Sequence, residues 1–139
     1  MRMHANDTNA RNQPEKLIHP QLSYLLTGIC FEAHNNLGRF ARERQYGDFL
    51  ENKFQMLRIP YIREKYVKNT RNIFDFLVDD KIILELKTRD SIIREDYHQI
   101  QRYLQDAKVK LGLLVNFRNR YLKPIRVIRI DTDVPSKFV

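Results

Sequence analysis

The sequence holds one cysteine, no tryptophan, four glycines and no internal repeat. A single thiol, Cys30, excludes an intramolecular disulfide and fits a reducing cytoplasm. It lies in an apolar helical stretch, where a buried structural thiol is expected rather than a nucleophile. No segment approaches the ~18 consecutive apolar residues that a membrane span needs. The opening stretch, MRMHANDTNARNQPE, lacks the apolar middle of a secretory signal and shows no periodicity. Acidic residues are the scarcer sign, 17 against 25 basic, which leaves a formal charge of +8. A nucleic acid is the natural partner for such an excess, because Lys and Arg displace the counterions around phosphates. A basic surface kept for solubility is the alternative that charge alone leaves open.

What is present fits one globular domain: 139 residues, 42% hydrophobic and 30% charged. The expected organisation is a flexible N-terminal arm over residues 1–16 and a folded domain over 17–139. Leu22, Leu25, Leu26, Ile29, Ala33 and Leu37 form one helical stripe, with Pro20 before it and Gly38 after it. A second helix is expected from about Ala41 to Leu57, striped by Tyr46, Phe49, Leu50, Phe54 and Leu57. The period then shortens. Pro60 to Lys68, Asn72 to Val78 and Lys81 to Thr88 read as strands, with Asp79-Asp80 at a turn. A third helix spans Ile93 to Ala107, with Ile93, Tyr97, Ile100, Leu104 and Ala107 facing the core. Strands over Leu111 to Phe117 and Ile125 to Ile130 close the chain. The order α-α-β-β-β-α-β-β describes an α/β sandwich, a mixed sheet flanked by helices.

The segment IFDFLVDDKIILELK carries the chemistry. Glu85 and Lys87 are two apart on a strand and share a face. The strand around them is apolar enough to be buried on both sides, so both charges need partners. A plain two-residue turn would put Asp75 opposite Leu84. A three-residue connection over Asp79, Asp80 and Lys81 instead sets Val78 opposite Ile82 and Asp75 opposite Glu85, with Cβ atoms ~5 Å apart. Facing carboxylates repel one another, which raises at least one of their pKa values, and a hard cation such as Mg²⁺ or Mn²⁺ relieves the repulsion. Lys87 could then orient or deprotonate a water and stabilise charge on a phosphate. A salt-bridged sheet without metal has the same spacing.

The pattern Asp75, nine residues, Glu85, one residue, Lys87 resembles motifs II and III of the PD-(D/E)XK nucleases, with Phe74 where a proline is usual. The chain is more specifically similar to the GxxExxY proteins of that superfamily. The similarity runs from about Leu22 to Ile130 through Glu43 and Tyr46, FDFLVDDKIILELK, HQIQRYL, LGLLVNF and IRVIRI. The glycine of the family name falls on Phe40. The resemblance implies a restriction-endonuclease-like core and a metal-site role for Glu43, beside Asp75 and Glu85. Glu43 also sits in a helix's first turn, where the dipole favours a carboxylate; Glu32 is a weaker candidate.

Gln99 and Tyr103 resemble the Gln-x3-Tyr pair that supports the site in RecB-like nucleases, and Tyr46 is expected to support it too. Arg118, Arg120 and Lys123, after the strand LGLLVNF, are candidate phosphate ligands. His4, His19, His34 and His98 have no partner at ligand spacing and are expected to be structural or exposed. Together these readings describe a cytoplasmic, Mg²⁺- or Mn²⁺-dependent nuclease. Its expected substrate is DNA ahead of RNA, with no membrane association and a homodimer allowed by the resemblance. The alternatives are a nucleic-acid-binding module or partner subunit that does not cut, and a defence or toxin-type nuclease.

Overall fold

A computed structural model describes residues 18–66 and 73–131. The expected N-terminal arm lies outside these residues, as do the last two positions of the expected strand ending at Lys68. The elements are α1 (Pro20–Leu37), α2 (Glu43–Met56), β1 (Tyr61–Tyr66), β2 (Ile73–Val78), β3 (Ile82–Lys87), α3 (Arg94–Ala107), β4 (Leu111–Asn116) and β5 (Ile125–Ile128). This is the expected order. The strands form one sheet in the order β1-β2-β3-β4-β5. The β3–β4 pair is parallel and the others are antiparallel, so the sheet is mixed. The architecture is α+β and consistent with a restriction-endonuclease-like fold.

Pro20 begins α1 rather than preceding it. Its fixed φ suits a first helical turn, where a missing N–H costs nothing. The buried residues Leu26, Ile29, Cys30 and Ala33 of α1 pack with Tyr46, Leu50 and Phe54 of α2. Both helices cover the sheet face formed by Phe76, Val78, Ile82, Leu84, Leu86, Leu111, Leu113 and Val115. Phe54 meets Phe76 edge-on at 5.4 Å, a geometry that adds ~0.5–1.5 kcal/mol beyond simple burial. Helix α3 covers the other face through Ile100, Tyr103 and Leu104 against Ile83 and Leu114. Within α3 the expected stripe is rotated. Ile93 and Tyr97 are exposed, and Tyr103 is buried in their place.

Strand β3 is buried from Ile82 to Leu86, because helices cover both of its faces. Gly112 on β4 is required by this packing, since a Cβ there would lie 2.6 Å from the Ile100 side chain. Strand β2 is less regular. Phe76 and Val78 join the core under α1 and α2, whereas Phe74 joins the one under α3. Residues two apart on a regular strand share a face, so β2 changes face at Asp75. On β1, Glu64 lies between the pairs Arg63↔Phe76 and Lys65↔Phe74, and its φ is 52°. The sheet is thus distorted on one side of Asp75 where β1 passes it.

Candidate functional site

The β2–β3 connection has three residues, Asp79, Asp80 and Lys81, with Val78 paired to Ile82. Asp79 and Asp80 both take positive φ, 52° and 55°, and Lys81 N–H donates to Val78 O at 2.9 Å. Asp tolerates the left-handed region better than most residues. The extra residue is what sets the register Phe76↔Leu84 and brings Asp75 across from Glu85.

At that point side chains replace the ladder. Glu85 Oε1 accepts the Asp75 N–H at 2.8 Å, and Asp75 Oδ2 accepts the Leu86 N–H at 2.7 Å. Each carboxylate therefore spends one oxygen on main chain. Burial raises the Glu85 pKa well above its ordinary value, and the charge of Asp75 pushes it the same way. Burial also raises Asp75, against the opposing effects of the Leu86 N–H and Lys87. For Glu85, loss of water is thus a larger cause than repulsion by the facing carboxylate. Glu43 opens α2 at the solvent-exposed rim, and its carboxyl is raised by partial desolvation and then by Asp75.

Glu43, Arg44, Arg63, Glu64, Asp75 and Leu86 line a cavity of about 530 Å³. Glu85 and Lys87 lie toward α3. The Lys87 ammonium donates to Gln99 Oε1 at 2.9 Å and lies 4.0 Å from Glu85 and 3.8 Å from Asp96. Tyr103 is buried one turn further along α3. Its hydroxyl is pushed up to about 12, first by burial and then by Glu85 and Asp75, while Gln99 hydrogen-bonds to it. The two α3 residues singled out in the sequence thus reach the carboxylate pair, Gln99 by holding Lys87 and Tyr103 through a hydroxyl that feels the charges of Glu85 and Asp75.

The other candidates divide. Tyr46 is fully buried, stacks on Phe117 at 4.1 Å and bonds to Gly38 O, so it supports the loop before Glu43 and touches no solvent. Arg118 lies beside that loop, bonded to Arg39 O at 3.0 Å. Arg120 and Lys123 are exposed in the β4–β5 loop. Glu32 pairs with Lys53, and His34 bonds to Asn119 O at 2.8 Å, both away from the carboxylates. Cys30 is buried, and burial pushes its thiol up to about 12, as befits a structural residue.

Three contributors escaped the sequence reading. Asp96, buried at the third position of α3, accepts the Ile93 N–H at 2.9 Å and pairs with Arg89 and Lys87. Asn116 accepts the Arg89 N–H at 3.1 Å and donates to Arg89 O at 2.7 Å, fixing the segment that leaves β3. A signal existed for each: an acid three residues after a helix start, and one polar residue ending an otherwise apolar strand. The third, Glu64, offered none, since its role depends on the backbone opposite Asp75.

The donor set suits a hard divalent cation, because two desolvated carboxylates with raised pKa values share one neighbourhood, and their nearest ammonium is also engaged by Gln99 and Asp96. Among the described residues no three His, Cys, Asp or Glu groups converge as a ligand cluster. Glu43 stands within the field of the other two but is not gathered with them. A family model for the PD-(D/E)XK nuclease superfamily matches residues 20–129. No curated protein and no solved structure gives a match.

Proposed function

The chain belongs to the PD-(D/E)XK nuclease superfamily, and on that premise we propose that it hydrolyses phosphodiester bonds in DNA, with RNA as the alternative substrate, in a Mg²⁺- or Mn²⁺-dependent reaction. Within the superfamily we assign it to the GxxExxY proteins, on Glu43, Tyr46 and the order of the sequence blocks. The observation that carries the reading is the mutually opposed pair of half-buried Asp75 and buried Glu85, with the Lys87 ammonium beside it. Two charged groups this poor in water are expensive unless they have a task.

Asp75 and Glu85 would hold the cation, with Glu43 reaching it from the rim. A divalent ion bound there supplies positive charge that acidifies a water and polarises a phosphoryl oxygen. Lys87 offers donors for the attacking water or a phosphate oxygen. Gln99 and Asp96 keep that ammonium pointed at the carboxylates rather than at solvent. Arg44, on the cavity wall, gives an approaching phosphodiester a cationic counterpart, whereas Arg63 beside it is paired with Asp48 and Glu51.

The free, buried Cys30 suits a cytoplasmic protein. Among the described residues no helix is long and apolar enough to cross a membrane. A homodimer is the assembly to look for first, by size-exclusion chromatography with light scattering.

A rival reading draws on the lack of a converged three-ligand group among the described residues: a nucleic-acid-binding module that keeps the fold without cutting. The deciding experiment is Mn²⁺-dependent cleavage of single-stranded, duplex and branched DNA and RNA. We expect turnover that disappears in Lys87→Ala while the variant stays folded. Tight binding with no turnover in any metal would select the module.

A further inference from the structure

Phe40 is the residue at which the chain departs from the motif glycine, and it is 73% exposed. The ring is not idle surface. The Arg39 guanidinium lies over it at 4.8 Å and that of Arg118 at 5.5 Å. The two arginines are locked to each other's main chain, Arg39 Nε to Arg118 O at 2.9 Å and Arg118 Nε to Arg39 O at 3.0 Å. Neither guanidinium has an acidic partner among the ion pairs of the described residues. A ring covered on both faces would not keep this exposure, so a broad aromatic surface remains open beside two fixed cations. The same β4–β5 loop carries a second such pair, with Arg120 5.4 Å from the ring centre of the 78% exposed Tyr121.

Packing does not explain the ring. The loop from Gly38 to Ala41 is already held by Tyr46, which bonds to Gly38 O and lies 3.3 Å from the Ala41 N–H. The place of the ring matters as well. Lys87 O accepts the Phe117 N–H at 2.9 Å, and Arg118 is the next residue. Glu43 follows Phe40 by three positions at the start of α2. The aromatic and its arginines therefore border the carboxylate site at the end of β3 and β4.

We propose that Phe40, with Arg39 and Arg118, is a stacking platform for an unpaired base of single-stranded nucleic acid whose backbone runs into the Asp75–Glu85–Lys87 site. This rests on the nuclease reading for the site and adds the substrate class. An exposed aromatic face accepts any base, and flanking guanidiniums hold the neighbouring phosphates. Paired bases in a duplex are already stacked and offer no face. The protein thus prefers single strands, flaps or frayed ends over intact duplex.

The test is fluorescence anisotropy in EDTA, so that no cleavage intervenes. The probes are labelled oligothymidylate of roughly 15 nucleotides and a duplex of equal length. Phe40→Ala should weaken single-strand affinity on the order of tenfold, leave duplex affinity and the salt slope unchanged, and leave the melting temperature in place. Phe40→Trp should restore single-strand affinity. Arg118→Ala should flatten the salt slope. Equal single-strand affinity for wild type and Phe40→Ala, an equal loss on both probes, or no single-strand binding by the wild type overturns the platform. Mn²⁺-dependent cleavage by the wild type, measured separately, keeps the two ideas apart. Cleavage with an indifferent Phe40 defeats only the platform, and a Phe40-dependent grip without cleavage defeats only the nuclease.

Discussion

Asp75 and Glu85 are joined through each other's strand: Glu85 accepts the N–H of Asp75, and Asp75 accepts the N–H of Leu86, next to Glu85. These two bonds stand where an antiparallel ladder would have used carbonyls, so the sheet opens between β2 and β3. Side-chain oxygens are thereby fixed at the opening with little freedom to move away. Preorganised ligands lose less entropy on binding than mobile ones.

The pair makes stability depend on pH. Asp75, Glu85 and Glu43 all have pKa values raised above their unfolded values. A raised carboxyl contributes stability that is fully present below its unfolded pKa and is lost as pH rises through the folded one. In EDTA, the melting temperature of the wild type should therefore fall between the ordinary carboxylate range and neutrality more than that of Glu85→Gln. At neutral pH, Glu85→Gln should match or exceed the wild type. A Glu85→Gln protein that melts well below the wild type across this range would show the carboxylate to be a structural partner of Lys87.

Metal should reverse that weakness. Mg²⁺ or Mn²⁺ at a hundredfold excess over its dissociation constant should stabilise the native state by ~2.7 kcal/mol. Calorimetry with and without the ion reads this directly. Asp75→Asn and Glu85→Gln should each abolish the response. Millimolar ions that leave the wild-type transition unmoved would remove the cation from the site.

Lys87 is positioned by a neighbour that carries no charge. Gln99→Ala deletes the 2.9 Å bond to its ammonium, a charge-assisted contact worth ~1.5–3 kcal/mol. The expected result is kcat lower by about tenfold or more, with nucleic-acid affinity little changed and Gln99→Glu not equivalent. An unchanged kcat would mean that the ammonium finds its place without Gln99.

Asp96 joins helix formation to the site. Asp96→Ala leaves the Ile93 N–H without its acceptor and removes the partner of Arg89 and Lys87. Loss of these contacts should destabilise the fold by ~2 kcal/mol, read by urea denaturation. Asp96→Asn, which keeps an oxygen for the Ile93 N–H, should recover part of that loss.

Tyr46 offers a contrast. Tyr46→Phe removes the bonds to Gly38 and Ala41 from a buried ring and should cost ~1–3 kcal/mol in stability. Single-strand binding should survive unless the Phe40 loop moves, so affinity for oligothymidylate reports how far Tyr46 holds that loop.

The alternation and periodicity of the chain were enough to give the element order, because the helices and the outer strands bury one side and the sequence must repeat accordingly. The apolar run of β3 announced its burial on both faces, and nine residues between Asp75 and Glu85 allowed a register that sets them opposite one another. Distances in sequence do not say whether a turn holds two residues or three; the pairing of Val78 with Ile82, which leaves Lys81 as an extra residue, decided that. Nor could they rotate α3, whose buried side runs through Tyr103 instead of Ile93 and Tyr97 because Asp96 draws its first turn toward Arg89 and Lys87. The face change of β2 at Asp75, the reciprocal main-chain bonds of the two carboxylates and the meeting of Phe40 with Arg118 across 78 positions of chain all depend on segments far apart in sequence. Local sequence sets which face of an element is apolar. Only the packing of elements against one another decides which polar groups are left without water, and that loss of water is what makes the carboxylate pair a candidate for chemistry.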